Sequence, residues 1–150
     1  MTISINITTV SYTHLANYIG TKLDVLGVNS PLQRKLAKDS YGILEHDNWL
    51  DVTYHVYSVS NVFEVKNAAL IITDTNFDSV DDRLKMEVLP DWIDHTDNWA
   101  HSDSLSKLYT KLLESEKYGK LFLKTLVKWN SDVSLWTVSY THLDVYKRQG

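Results

Sequence analysis

A chain of 150 residues with 43% hydrophobic and 11% aromatic side chains has the material for one globular domain with a real core, which excludes a disordered polypeptide. Zero cysteines exclude a disulfide framework, a thiol nucleophile and a thiolate metal site. The net charge of −4 is uneven, with 9 basic and 17 acidic side chains in residues 1 to 116 against 6 and 2 in residues 117 to 150, and the acidic part argues against a generic nucleic-acid coat. No apolar run approaches the roughly 18 residues of a membrane span. Residues 1 to 15 also lack the basic start and apolar centre of a signal peptide, so the expectation is a soluble cytoplasmic protein with no membrane partner.

Taken in chain order, Leu15, Ile19, Leu23 and Leu26 recur at helical spacing and predict a helix closed by Gly27. Ser30, Pro31 and Gln33 form a capping box with proline at the first helical position, where its missing N–H costs nothing. Asp47 or Asn48 is a weaker start for a helix over "VTYHVYSV" (52 to 59), although that segment alternates with a period near two. Asn61 with Glu64 repeats the capping-box logic before "AALIIT" (68 to 73), a β-branched apolar run equally compatible with a strand. The flanking caps favour helix in both segments. Ser79 with Asp82 opens the next helix, Thr96 or Asp97 the one that carries Leu105, Leu108, Tyr109 and Leu112, and Ser115 the one with Leu121, Leu126 and Trp129.

Starts near 30, 48, 61, 79, 96 and 115 leave room each time for a helix of three to four turns and a short connection. Two helices per unit match the period of about 40 residues found in HEAT-like arrays. The predicted fold class is therefore all-α, an α-α superhelix of HEAT-like antiparallel helix pairs, incomplete at the C-terminus. A truncated stack of this kind leaves the apolar face of its last helix, including Leu121, Leu126 and Trp129, uncapped.

"TVSYTHL" occurs at residues 9 to 15 and again, without a mismatch, at 137 to 143. A structural repeat keeps its apolar positions and lets its surface drift, so identity at every position is not what packing requires. The closing "SYTHLDVYKRQ" resembles a translated, ligated non-genomic tail. The expected organisation is a non-native leader at 1–15, a partial HEAT-like domain at 16–136 and a non-native tail at 137–150.

The stretch "DNWAHSDSLSKL" (97 to 108) holds the candidate chemistry. At 100° per residue, Trp99 and Asp103 differ by only about 40° and share a face that is not the leucine face. A tryptophan off the core stripe is a plug at the core edge or a stacking platform, and a carboxylate beside it can stabilise a developing cation. Three structural readings compete: an Asp103–Lys107 surface ion pair, Asp103 as an N-cap, and Trp99 packed against a neighbouring helix pair. His101, Ser102 and Asp103 are consecutive and diverge around a helix, so they do not form a nucleophilic relay. Asp91, Asp94 and His95 have the spacing of metal ligands but lack a fourth, and an acidic first turn after Pro90 explains them. Phosphate-cradling glycine loops and zinc-ligand patterns are absent. Neither a metal nor another cofactor is expected. Lys117, Lys120, Lys124 and Lys128 form a local basic strip, either a solvated helix face or a track for phosphates.

"YIGTKLDVLGVNSPLQRKLAK" (18 to 38), "VFEVKNAAL" (62 to 70), "NWAHSDSLSKLYTKLLE" (98 to 114) and "LVKWNSDVSLW" (126 to 136) together resemble the HEAT-like DNA alkylation repair family, the bacterial alkylpurine DNA glycosylases. The resemblance spans Ala16 to Trp136. It implies that Trp99 and Asp103 line a DNA-facing cleft and that Trp136, following Trp129 in a "W-x6-W" pattern, adds a second aromatic face; Lys128, from the basic strip, is a further DNA-binding candidate. The implied reaction is excision of cationic 3-methyladenine and 7-methylguanine from double-stranded alkylated DNA by a monofunctional N-glycosylase, with Asp103 as the catalytic residue and a monomer as the full-length state. Two positions depart from the family pattern: Ser139 stands where an arginine is expected, and Ala100 where an acidic residue is frequent. The competing expectation is a non-catalytic helical-repeat scaffold that binds protein or DNA.

Overall fold

The computed structural model describes residues 9–44 and 47–130. The described chain is all-α, with no β-strand, and divides between Thr75 and Asn76 into two compact units. The first unit contains α1 (Thr9–Ile19), α2 (Ser30–Tyr41), α3 (Trp49–Val59) and α4 (Phe63–Thr75). The second contains a 3-10 turn (Phe77–Ser79), α5 (Asp82–Val88), a 3-10 helix (Leu89–His95), α6 (Trp99–Leu113) and α7 (Gly119–Asn130). Both ambiguous segments are helical, 52 to 59 within α3 and 68 to 73 within α4.

In the first unit α4 packs against both α2 and α3. Its inward face is Ala69, Leu70, Ile72 and Thr73, which meets Ala37 of α2 and Leu50, Thr53 and Tyr57 of α3 in the buried core. The first predicted helix is shorter than its apolar spacing suggests. It ends at Ile19 because Gly20 takes a φ of +73° and donates its N–H back to the Ala16 carbonyl, closing the helix one turn early. Leu23 and Leu26 therefore belong to a non-helical segment whose Asp24 pairs in an isolated bridge with Val62, the residue before α4. The amides of that segment find a partner far along the chain: the Glu64 carboxylate, nearly buried, accepts the N–H groups of Leu26 at 2.9 Å and Gly27 at 2.8 Å. Gly27, at φ +77°, turns the backbone so that these donors converge on one anion.

Glu64 is thus not the reciprocal partner of an Asn61 cap; it joins two segments of the unit. Other predicted caps shift by one or a few residues. Asn29, not Ser30, caps α2, its Oδ1 accepting the Leu32 N–H at 3.0 Å, with Pro31 inside the first turn. Asp81 caps α5 through the Arg83 N–H at 3.0 Å. Ser115 organises the turn before α7, its Oγ accepting the Tyr118 N–H while its carbonyl accepts that of Gly119.

In the second unit α6 and α7 pack together across a short connection, which makes them an antiparallel hairpin. Leu105, Leu108, Tyr109 and Leu112 are buried, as their spacing predicts. On α7 the inward stripe is Phe122, Leu126 and the half-buried Trp129, whereas Leu121 is 51% exposed. The expected uncapped apolar face of the last helix therefore does not include Leu126. Tyr109 stacks at tilted geometry on Phe122 (5.1 Å) and Trp129 (5.6 Å), and its hydroxyl donates to the Leu89 carbonyl at 2.8 Å. That bond ties α6 to the 3-10 helix, whose Leu89 and Trp92 are fully buried.

Candidate active site on helix α6

Helix α6 begins at Trp99 because Asn98, in extended backbone conformation, caps it. Asp103 is therefore an interior residue of the helix and not its N-cap. One face of α6 points into the core; Trp99, at 45% exposure, Asp103 and Lys107 follow one another at intervals of four on an accessible face. The indole and the carboxylate share a side of the helix, as their spacing predicts. Asp103 and Lys107 do not form an ion pair, and among the described residues the Asp103 carboxylate accepts no hydrogen bond. Its main-chain carbonyl accepts the Ser106 hydroxyl at 2.7 Å. The carboxylate is left facing solvent, available to a ligand.

His101 and Ser102 are buried, and Asp103 is exposed, so the three consecutive side chains form no relay. Two residues that sequence spacing does not assign to this helix start support the site from below. Asn98 and His101 are completely buried, and the amide of one faces the imidazole of the other at 2.9 Å. The preference of asparagine for N-caps is the available signal, but Thr96 and Asp97 compete for the same role in the sequence.

Lys128 is exposed in the last turn of α7, where a cation is favoured by the helix dipole. Its neighbour Trp129 packs on Tyr109, in the second half of α6, ten residues along the helix from Trp99. Lys120, Lys124 and Lys128 form an exposed stripe along α7, while Lys117 precedes the helix and lies over the Tyr118 ring. Trp136 lies outside the described residues, as do Ser139 and the second "TVSYTHL".

A cavity of about 410 Å³ lies in the first unit among α2, α3 and α4. Its walls are mostly apolar, including Leu36, Val52, Val56 and Ile72, and its polar groups are engaged internally: Gln33 donates to the Val28 carbonyl and Glu64 holds main-chain amides. Its lining hydroxyls are Thr53, bonded to main-chain carbonyls, and Ser40, which has no lining histidine beside it to act as a base. The Trp99–Asp103 face has an ionisable oxygen pair beside an aromatic surface, and is the better candidate for chemistry. Among the described residues no group of three or more His, Asp or Glu is placed to hold a metal ion, and Asp91, Asp94 and His95 are not brought together as ligands. No helix among them is long and apolar enough to cross a membrane.

These features define an all-α protein whose accessible carboxylate and indole stand on one helix above a buried polar cap. The family model described as DNA alkylation repair enzyme matches residues 8–143, and the chain belongs to that family. Membership associates the chain with repair of alkylated DNA. No curated protein and no solved structure gives a significant match.

Proposed function

We propose that the protein is an N-glycosylase that hydrolyses the glycosidic bond of cationic alkylated purines, 3-methyladenine and 7-methylguanine, in double-stranded DNA. The observation that carries this reading is the pairing of Trp99 and Asp103 on one accessible face, in a member of an alkylation repair family. An N3- or N7-alkylated purine is positively charged and leaves as a neutral base, so it needs little help from a general acid. Positive charge passes to the sugar as the bond breaks. The ionised Asp103 stabilises that sugar and orients a water molecule, which adds at C1′ and releases a proton. The indole of Trp99 attracts the cation by stacking and through its electron-rich face. Lys128, and Trp136 by the family pattern, complete the DNA contacts in this reading.

The test is release of 7-methylguanine and 3-methyladenine from methylated duplex DNA by the parent chain and by Asp103→Asn. Loss of one preorganised electrostatic partner should cost about 10²- to 10³-fold in rate. Equal rates in the two proteins would remove Asp103 from the mechanism. The acidic balance of residues 1 to 116 favours a second reading, a non-catalytic helical scaffold. A folded chain with no DNA affinity, or with one insensitive to salt, would support it.

A further inference from the structure

The side chain that fixes the first turn of α6 is buried behind the face that carries Trp99 and Asp103. Asn98 Oδ1 accepts the main-chain N–H of His101 at 2.8 Å. A backbone N–H can only donate, so this contact fixes which way round the amide sits. Its Nδ2 must then face His101 Nδ1, 2.9 Å away, and that ring nitrogen accepts. The imidazole therefore carries its proton on Nε2. The other amide hydrogen goes to Asp97 Oδ1 at 2.8 Å.

Capping alone needs only the first of these bonds, and a serine hydroxyl would supply it. The other two hold a buried ring and the residue before the cap, which no cap requires. In an α-helix the N–H of Asp103 bonds to the carbonyl of Trp99, so the orientation of the first turn sets the placement of both side chains. A displacement of about 1 Å at a reacting centre costs on the order of 10²-fold in rate.

We propose that Asn98 is a positioning residue: by clamping the buried imidazole of His101 it fixes the turn of α6 that presents Trp99 and Asp103. This rests on the assignment of glycosidic hydrolysis to Asp103. The test uses the full chain with Asn98→Ser, which keeps the cap acceptor and removes the amide donors, and Asp103→Asn beside it. Thermal unfolding, and kcat and KM for 7-methylguanine release from methylated duplex, are measured. The expected result is a cooperative melt at a lower temperature than the parent's, because the buried Nδ1 of His101 loses its donor, with an unchanged KM and a kcat lower by about 10²-fold at a temperature where both proteins are folded. A parental kcat in Asn98→Ser overturns the proposal.

If Asn98→Ser does not fold, His101→Asn and His101→Leu carry the test. Asparagine sets an amide oxygen near the place of Nδ1 and should retain kcat, whereas leucine should lose it; equal kcat in both overturns the proposal. If the parent chain releases no base, or Asp103→Asn is as active as the parent, the hydrolytic reading fails by itself. Positioning is then judged from the NMR order parameter of the Trp99 indole N–H. A fall in Asn98→Ser relative to the parent supports the clamp, and no change overturns it.

Discussion

Gly119 stands so close to the carbonyl oxygen of Leu113 that no β-carbon fits between them. This close approach lets the first turn of α7 pack under the end of α6. At an ordinary helical position, replacing glycine by alanine stabilises by roughly 0.5–1 kcal/mol. Here the steric term dominates, because overpacking costs about 1–3 kcal/mol and the obstacle is main chain. Gly119→Ala should lower the melting temperature; a higher one in a calorimetric scan would contradict the packing described.

Asp82 links α5 to the turn before α7. Its carboxylate accepts from the Lys85 ammonium at 2.7 Å and from the Ser115 hydroxyl at 2.8 Å, and these bonds, Lys85 first, hold its pKa below the ordinary aspartate value. A depressed carboxylate pKa contributes stability above the unfolded value of about 3.9 that is lost as pH falls through the folded one. The Asp82 side chain is 43% exposed, so solvent screens this contribution. Lys85 is nearly buried against the Phe77 ring and depends on the pair more heavily. Asp82→Asn should destabilise the protein at pH 7 and flatten the acid limb of stability below about pH 4. Urea titrations at pH 7 and pH 3 check this, and an identical acid limb in both proteins would rule it out.

The Tyr109 hydroxyl is buried where α6 meets the 3-10 helix, and it donates to Leu89. Tyr109→Phe keeps the ring packing with Phe122 and Trp129 and removes that donor. The expected loss is about 1 kcal/mol, the net worth of one such bond. Denaturant unfolding should show a lower midpoint with an unchanged slope. A variant as stable as the parent would show that the hydroxyl contributes nothing.

If the α7 stripe tracks phosphates, Lys124→Gln with Lys128→Gln should weaken binding equally for all duplex sequences. Each phosphate that no longer meets a lysine should reduce the magnitude of the slope of log K against log salt by about 0.9. Fluorescence anisotropy with an undamaged duplex at several salt concentrations measures that slope. An unchanged slope would return the stripe to a solvated face.

The helical character of the described residues was legible in the sequence because most apolar residues follow a helical period, although the 3-10 stretches Phe77–Ser79 and Leu89–His95 and the shortness of α5 were not, and the face of α6 was legible because Trp99 and Asp103 depart from the leucine stripe. The end of α1 was not. Leu23 and Leu26 continue the helical spacing although they lie in non-helical chain, and spacing does not reveal that Gly20 has turned left-handed. Caps slipped where neighbouring residues compete, as Asn29 does with Ser30 and Asn98 with Asp97. Leu121 and Phe122 are adjacent and both apolar, so the inward member of the pair is decided by the aromatic partners Tyr109 and Trp129, which come from tertiary packing. The buried Asn98–His101 pair was least legible, since only the surrounding fold makes two polar side chains inaccessible to water.

The grip of Glu64 on the segment before α2 reads main chain and not side chains. A change of side chain at position 26 or 28 leaves its main-chain donor in place, whereas losing the acid at 64 removes the acceptor and losing the glycine at 27 removes the turn that aims the donors at it.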